Sequence, residues 1–142
     1  MKRSLLLVSI GLILIAVKAQ GQEWVLITLE KEKSFELLVD RQSIRQLPDS
    51  IVSASVRYEY NKPYVGERAY DCRKCGPVKG ISHTIISEEF DCKAKKLRMR
   101  EMTEYYMDMA PHTENGTEVW KQPSPGSIDE ILINYICIQR KE

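Results

Sequence analysis

Four cysteines are the residues of this 142-residue chain with the clearest capacity for chemistry. Cys72 and Cys75 are separated by two residues, whereas Cys92 and Cys137 stand alone. A C-x-x-C pair is typical of a redox dithiol, half of a zinc site, a haem tether or a local disulfide. The haem tether is excluded, because a histidine must follow the second cysteine and Gly76 stands there. The choice among the other three depends on the compartment in which the chain lives.

The start of the chain has the layout of a secretory signal peptide. Lys2 and Arg3 precede an apolar run, and Lys18 ends that run before it reaches the ~20 apolar residues that a membrane-spanning helix needs. We therefore predict a signal peptide at residues 1–19 and a mature domain at residues 20–142, with no membrane span after cleavage. An uncleaved membrane anchor is the alternative.

Export changes the charge of the protein and the expected state of its thiols. Cleavage removes three of the 21 Lys and Arg residues, which leaves 18 against 20 Asp and Glu. This balance does not favour a nucleic-acid partner, because such proteins need a basic face for phosphates. In an oxidising compartment an even number of cysteines indicates disulfides first, and four cysteines allow three pairings.

Two metal sites and a redox site are the competing hypotheses for these residues. All four cysteines could form a tetrahedral zinc site, although an oxidising compartment removes free thiolates. Thiol-redox chemistry at Cys72 and Cys75 is disfavoured, since the helix breakers Gly76 and Pro77 follow where such a motif starts a helix. Soft copper(I) ligands are also present, but Met99 and Met102 alternate along a predicted strand, so core packing is favoured. The candidate copper ligands are Met99, Met102, Met107, Met109 and His112.

Catalytic residues are sparse in this sequence. The only two histidines, His83 and His112, lie in different segments with no catalytic motif around either. No nucleophile elbow, zinc-protease motif or phosphate-binding glycine loop occurs. The sequence therefore predicts a protein that is not an enzyme and has no cofactor.

Apolar alternation predicts the strands that must position these residues. Two short apolar runs separated by a charged turn indicate a hairpin, and residues 51–60 alternate apolar and polar side chains as a half-buried strand does. Further strands are predicted at 81–91, 96–107 and 117–121, with a helix at 93–107 as the alternative to the fourth. The hairpin strands are residues 24–29 and 35–39.

The other segments are predicted as loops and one helix. Residues 61–80, which carry the C-x-x-C, have no hydrophobic period and contain several Gly and Pro, so we predict a long loop. Residues 111–116 are predicted as a second loop. Ser127 and Glu130 form a capping-box pattern, and apolar residues at helical spacing follow, which predicts a helix from Ile128 to about Gln139.

Several landmarks fall in an order that resembles the surface-adhesin protein E family of Gram-negative bacteria. The resemblance covers nearly the whole mature chain, and the individual motifs are short. It rests on Trp24, Asp40 followed by Ser43 and Ile44, an aromatic-ended strand, Cys92, the pair Tyr105 and Tyr106, Trp120, the run 125–127 and Cys137.

The resemblance implies an α+β fold with a single antiparallel sheet of about six strands and a C-terminal helix packed on it. It also implies a disulfide between Cys92 and Cys137, which leaves Cys72 and Cys75 to pair with each other, and a homodimer. Trp24, Asp40, Trp120 and Gly126 match positions with a structural role in the family. The 61–80 loop is a departure from the family pattern.

The function implied is an exported, non-catalytic binding or adhesion module of the periplasm or outer-membrane surface. Its partner would be an extracellular protein or polysaccharide. The alternative is a periplasmic metal-binding or thiol-redox protein that uses Cys72 and Cys75. A run of cations is the predicted contact for an acidic ligand, although a solvated turn and strand face is the simpler interpretation. This run comprises Lys93, Lys95, Lys96, Arg98 and Arg100.

Overall fold

The computed structural model of the protein describes residues 21–30, 35–64 and 80–139. The predicted signal peptide at 1–19 and the cysteines Cys72 and Cys75 lie outside the described residues. Within the described part of the chain, no helix combines the length and the apolar character needed to cross a membrane.

The described elements form one antiparallel sheet with one α-helix packed on it, which confirms the predicted fold class. Two short 3₁₀ turns, Arg41–Ser43 and Pro48–Ser50, flank the third strand. The elements are β1 Trp24–Glu30, β2 Phe35–Asp40, β3 Arg45–Gln46, β4 Ile51–Tyr64, β5 Ile81–Asp91, β6 Lys96–Tyr106, β7 His112–Asn115 and α1 Ile128–Gln139.

The strand order across the sheet is β1-β2-β4-β5-β6-β7, and β3 pairs with the start of β4 beyond the end of β2. The predicted hairpin is therefore present as β1 and β2. The sheet is a series of antiparallel neighbours, in which β4 and β5 are the central strands. Because β1 and β7 lie at the ends of this order, the long edge is β1 and the short edge is β7.

Residues 51–60 alternate between the two faces as predicted. Val52, Ala54 and Val56 are buried on one face, and Tyr58 and Tyr60 continue that row half-buried. The strand is longer than predicted, because β4 continues to Tyr64 and includes the first four residues of the predicted 61–80 loop. Pro63 lies within this strand, although proline, which has no backbone N–H to donate, favours a loop prediction.

The strand predicted at 117–121 is wrong, and so is the loop predicted at 111–116. The strand in this region is β7, which lies within the predicted loop. Among the described residues after β7, an isolated bridge between Leu97 and Lys121 continues the pairing along the edge of β6. Gly116 lies between β7 and this bridge, and its backbone N–H donates to the carbonyl of Arg100 at 2.8 Å. Val119, whose apolar side chain favoured a strand, is 66% exposed.

A β-bulge changes which side chains of β6 face the helix. Glu88 of β5 lies opposite Met99, but the next residue of β5, Ser87, lies opposite Glu101, so Arg100 is an extra residue in β6. Met102 then lies opposite Ile86, on the same face as Met99. The prediction that the two methionines occupy opposite faces is therefore wrong, because it assumed an unbroken period of two.

The core lies between one face of the sheet and α1. Leu132, Ile133 and Ile136 of the helix are at most 1% exposed and pack on buried side chains of β2, β4, β5 and β6. The helix bounds match the prediction. The sheet residues of this core are Phe35, Leu37, Val39, Val52, Ala54, Val56, Phe90 and Leu97.

The predicted capping box at the start of α1 is half right. The backbone N–H of Glu130 donates to Ser127 Oγ at 3.3 Å, as predicted. The carboxylate of Glu130 instead accepts from the N–H of Gly126, one residue earlier than the box requires, at 2.7 Å. Gly126 has a φ of +73°, which turns the chain into the helix.

Candidate functional site

The turn between β5 and β6, residues 92–95, carries the first cations of the predicted binding run. Asp91 Oδ1 accepts from the backbone N–H groups of Lys93 at 3.0 Å and Ala94 at 2.8 Å, which closes the turn. Lys95 has a φ of +56°, in the left-handed region, and β6 starts at the next residue. We call Lys93, Lys95 and Lys96 the lysine turn.

A disulfide between Cys92 and Cys137 joins the lysine turn to the last turn of α1. This is the pairing that the family resemblance implies. It leaves no thiolate on either residue, so the four-cysteine zinc site that needs both of them is not formed. The bond crosses from sheet to helix and closes 45 residues of chain, which fixes the turn against the helix.

The lysine turn presents its charge to solvent. Lys93 and Lys95 are exposed and Lys96 is half-buried. The described part of the chain gives these three lysines no ion-pair partner, and Lys95 Nζ makes only a 3.5 Å contact with Asn134 Oδ1 of α1. An open cavity of about 200 Å³ lies beside Lys95. Its other lining residues are Gln122, Pro123, Glu130, Ile133 and Asn134.

Arg98 differs from the three lysines, because its charge is already neutralised by neighbours. Its guanidinium bonds to Glu89 at 2.7 Å and to Glu118 at 2.8 Å, and its side chain is only 19% exposed. The guanidinium carbon lies 4.5 Å from the ring centroid of Trp120, which is cation–π distance. Arg98 therefore fastens the segment after β7 onto β6.

Arg100 shares the same two carboxylates. Its guanidinium bonds to Glu118 at 2.5 Å and lies 3.7 Å from Glu89. The hydrogen bond from Arg100 and its positive charge lower the pKa of Glu118, and the pKa of Arg100 is raised in turn. We call Arg98, Arg100, Glu89 and Glu118 the arginine cluster. The run of cations predicted as the binding contact includes its two arginines with the lysines but neither of the glutamates.

The sheet face opposite α1 carries aromatic and charged side chains. His83 of β5 stacks on Tyr105 of β6, with ring centroids 4.3 Å apart and planes 11° from parallel. Burial, then the positive charge of Arg57, lower the pKa of His83. Arg57 also pairs with Glu59 and lies 5.8 Å from the Trp24 ring. Burial and the charge of Arg57 therefore favour the neutral form of His83, and the charge of Glu59 opposes them.

The competing metal hypotheses find no geometric support among the residues that the structure describes. No group of three or more His, Cys, Asp or Glu side chains there is arranged to hold a metal ion. Of the candidate copper ligands, Met107 and Met109 are 57% and 44% exposed, so they are not core residues as predicted. His112 contacts Glu114 on its own strand at 3.4 Å.

The landmark residues of the sequence hold local structure. Asp40 is 5% exposed, and its carboxylate accepts from the N–H groups of Glu23 at 2.8 Å and Gln42 at 3.1 Å, which ties the start of β1 to the end of β2. Trp120 supports Arg98, and Gly126 starts the helix turn.

The sheet, the helix fastened by a disulfide and the basic turn define a small α+β domain with an exposed basic turn beside the helix. Comparison with protein families matches residues 24–138 to the surface-adhesin protein E family. The chain therefore belongs to the surface-adhesin protein E family, as the sequence resemblance indicated. No curated protein and no solved structure matches the chain. Family membership indicates a surface adhesin with a non-enzymatic role and an external ligand.

Proposed function

We propose that this protein is an exported, non-catalytic binding module of the cell envelope that holds an acidic extracellular protein or polysaccharide on its lysine turn. The observation that carries the proposal is a difference in ion pairing among the cations of residues 93–100. The three lysines have no ion-pair partner in the described chain, whereas the two arginines next to them do. Within this run, the lysines therefore have more charge available for a ligand than the arginines do.

The position of the lysine turn supports this role. A binding surface gains affinity when its groups are held in place before the ligand arrives, because less conformational entropy is lost on binding. Asp91 closes the turn, the Cys92–Cys137 disulfide fixes it to α1, and the cavity beside Lys95 adds amide groups that can donate to an acidic ligand. Because the overall charge is near zero, attraction of an acidic partner has to come from a local cationic patch such as the lysine turn.

The direct test is retention on dextran sulfate beads in increasing salt. We expect Lys93→Gln/Lys95→Gln/Lys96→Gln to elute at clearly lower salt than the unchanged protein, because exposed charges act through screened attraction. The matched control, Arg41→Gln/Arg45→Gln/Lys62→Gln, removes three cations from exposed positions elsewhere and should elute close to the unchanged protein. Equal losses in both variants would show that only net charge matters and would reject the lysine turn as the site.

Export is the second part of the proposal, and it places the domain in the periplasm or on the outer surface of a Gram-negative cell. The signal-peptide pattern of residues 1–19, family membership and a disulfide between sheet and helix support it. Intact-mass measurement of exported protein should give a chain that starts at Gln20. Recovery of the full chain in a membrane fraction would favour the uncleaved anchor.

Homodimer formation is the third part of the proposal. It follows from the family resemblance, and the long edge strand β1 supports it, since unpaired strand edges need cover or a partner. Leu26 of this strand is 53% exposed. Light scattering at micromolar concentration should give twice the mass of the mature chain, and the mass of a single chain would count against a dimer.

A further inference from the structure

A buried carboxyl lies beneath the first turn of α1. Glu88 of β5 is 6% exposed and points to the helix side of the sheet, in register with Ala54 of β4 and Met99 of β6. Its Oε2 atom is fully buried and has no hydrogen-bond partner. A buried carboxylate without a compensating bond is strongly destabilising, whereas a protonated carboxyl at the same place costs much less.

The charged and titratable groups around Glu88 come from three directions. Asp129, in the first turn of α1, disfavours a second negative charge, and Lys121, in the segment before the helix, partly offsets this. β4 contributes Tyr58, a half-buried neighbour of the core, and β6 contributes the uncharged Met99. Burial first, and then Asp129, raise the pKa of Glu88 to about 8. Burial and the charges of Glu88 and Asp129 likewise raise the pKa of Tyr58.

The two ends of α1 are attached to the sheet in different ways, one by a covalent bond and the other by packing. Cys137 in the last turn is covalently joined to Cys92. In the first turn, Ile128 packs partly buried against the core, while Ile131 is 38% exposed and the two other residues are acidic. The first turn therefore has little apolar contact to lose when it leaves the sheet.

We propose that Glu88 is a proton switch for the start of α1: the first turn lies on the sheet while Glu88 carries its proton, and it lifts into solvent when Glu88 ionises. Lifting lets water reach the new charge, and the disulfide keeps the other end of the helix in place. The switch makes the helix surface respond to alkaline conditions outside the cell without loss of the fold.

The sign of the effect follows from linkage. Because the pKa of Glu88 is higher in the docked state than its ordinary value of 4.5, the docked state binds the proton more tightly. Docking is therefore most stable below pH 4.5, weakens as the pH rises toward 8, and gains nothing from the proton above that pH. Ordinary carboxylates have the opposite dependence, since their pKa values are lowered by folding.

Hydrogen exchange of the mature chain with its disulfide intact tests the switch, with rates corrected for the intrinsic pH dependence. Between pH 6 and pH 9 we expect protection of the amides of Ile131 and Leu132 to fall by at least about tenfold, while protection at 136–139 stays within about twofold. In Glu88→Gln, which keeps the shape of the side chain and cannot ionise, protection of Ile131 and Leu132 should not change with pH.

Two further variants keep the test decisive. Asp129→Asn removes the negative charge that raises the pKa of Glu88, so it should reduce the loss of protection even if Glu88→Gln does not fold. His83→Gln, on the opposite sheet face, should lose protection as the unchanged protein does. Unchanged protection in the wild type between pH 6 and pH 9, or an equal loss in Glu88→Gln or Asp129→Asn, would overturn the switch.

Discussion

The two arginines of the arginine cluster carry the same kind of positive charge as the lysine turn a few residues away, but the arginines have carboxylate partners and the lysines do not. The lysines lie on a turn held by a disulfide and face solvent, whereas Arg98 and Arg100 lie on β6 between Glu89 and Glu118. A cation whose charge is already balanced by carboxylate partners attracts an acidic ligand less strongly than a cation without such partners. Unpaired cations are therefore available for binding, and paired cations contribute to the fold.

Removal of the disulfide that holds the lysine turn should have the largest effect on stability. Cys137→Ala frees the end of a 45-residue loop, and the chain-entropy account gives a loss of about 4 kcal/mol in the free energy of unfolding. Thermal or denaturant unfolding measures this loss. The control Cys72→Ser/Cys75→Ser should have little effect, because the predicted bridge between these two cysteines would close only a very small ring. A small effect of Cys137→Ala would show that packing alone holds the helix.

The second change is at Gly116, which connects β7 to the segment that carries Glu118 of the arginine cluster. A Cβ atom on Gly116 would lie 1.9 Å from the backbone oxygen of Met99, so Gly116→Ala must displace that segment from β6. We expect a loss of about 2 kcal/mol in the free energy of unfolding. Gly21→Ala is the matched control, because nothing lies within 4 Å of its added Cβ. Equal stability of the two variants would contradict the close approach.

The third change removes an arginine directly. Arg98→Ala loses a partly buried ion pair with Glu89 and the contact with Trp120, so the free energy of unfolding should fall by about 1.5 kcal/mol. Arg100→Ala should cost less, because its partner Glu118 is 76% exposed. Urea unfolding measures both. A larger loss in Arg100→Ala than in Arg98→Ala would reverse the assigned roles.

The smallest stability effect is expected for the lysine turn itself. Lys93→Gln/Lys95→Gln/Lys96→Gln should change the free energy of unfolding by less than about 0.5 kcal/mol, since these side chains have no ion-pair partner in the described chain. Urea unfolding beside the Arg98→Ala protein gives the comparison. A loss as large as that of Arg98→Ala would mean that the lysines are structural.

Most of the fold could be predicted from the sequence, because alternation and helical spacing are local signals. The strands at 51–60 and 81–91 and the helix at 128–139 carry such signals and are present. The errors have a non-local cause. The bulge at Arg100 is set by pairing with β5, and the break after β7 is set by the approach of Gly116 to β6. Neither the bulge nor the break is marked by a periodic pattern in the residues around it.

The candidate site was predictable only as a run of positive charge. Whether a given cation is free depends on Glu89 and Glu118, which lie 9 and 20 residues from Arg98 in the sequence. The antiparallel pairing of β5 with β6 brings the first glutamate beside Arg98, and the segment after β7 brings the second. The proximity of these groups is a product of sheet topology, so the charge pattern alone could not separate lysines from arginines.

The most direct test of the account is a titration of the ¹⁵N-labelled mature protein with a short sulfated oligosaccharide, followed by amide chemical shifts. We expect the largest shifts at residues 92–96 and at Asn134 beside Lys95. Arg100, Glu118 and the opposite face at His83 should shift little. Shifts centred on the arginine cluster or on the face that carries His83, or no shifts at all, would contradict the claim that the lysine turn is the binding surface.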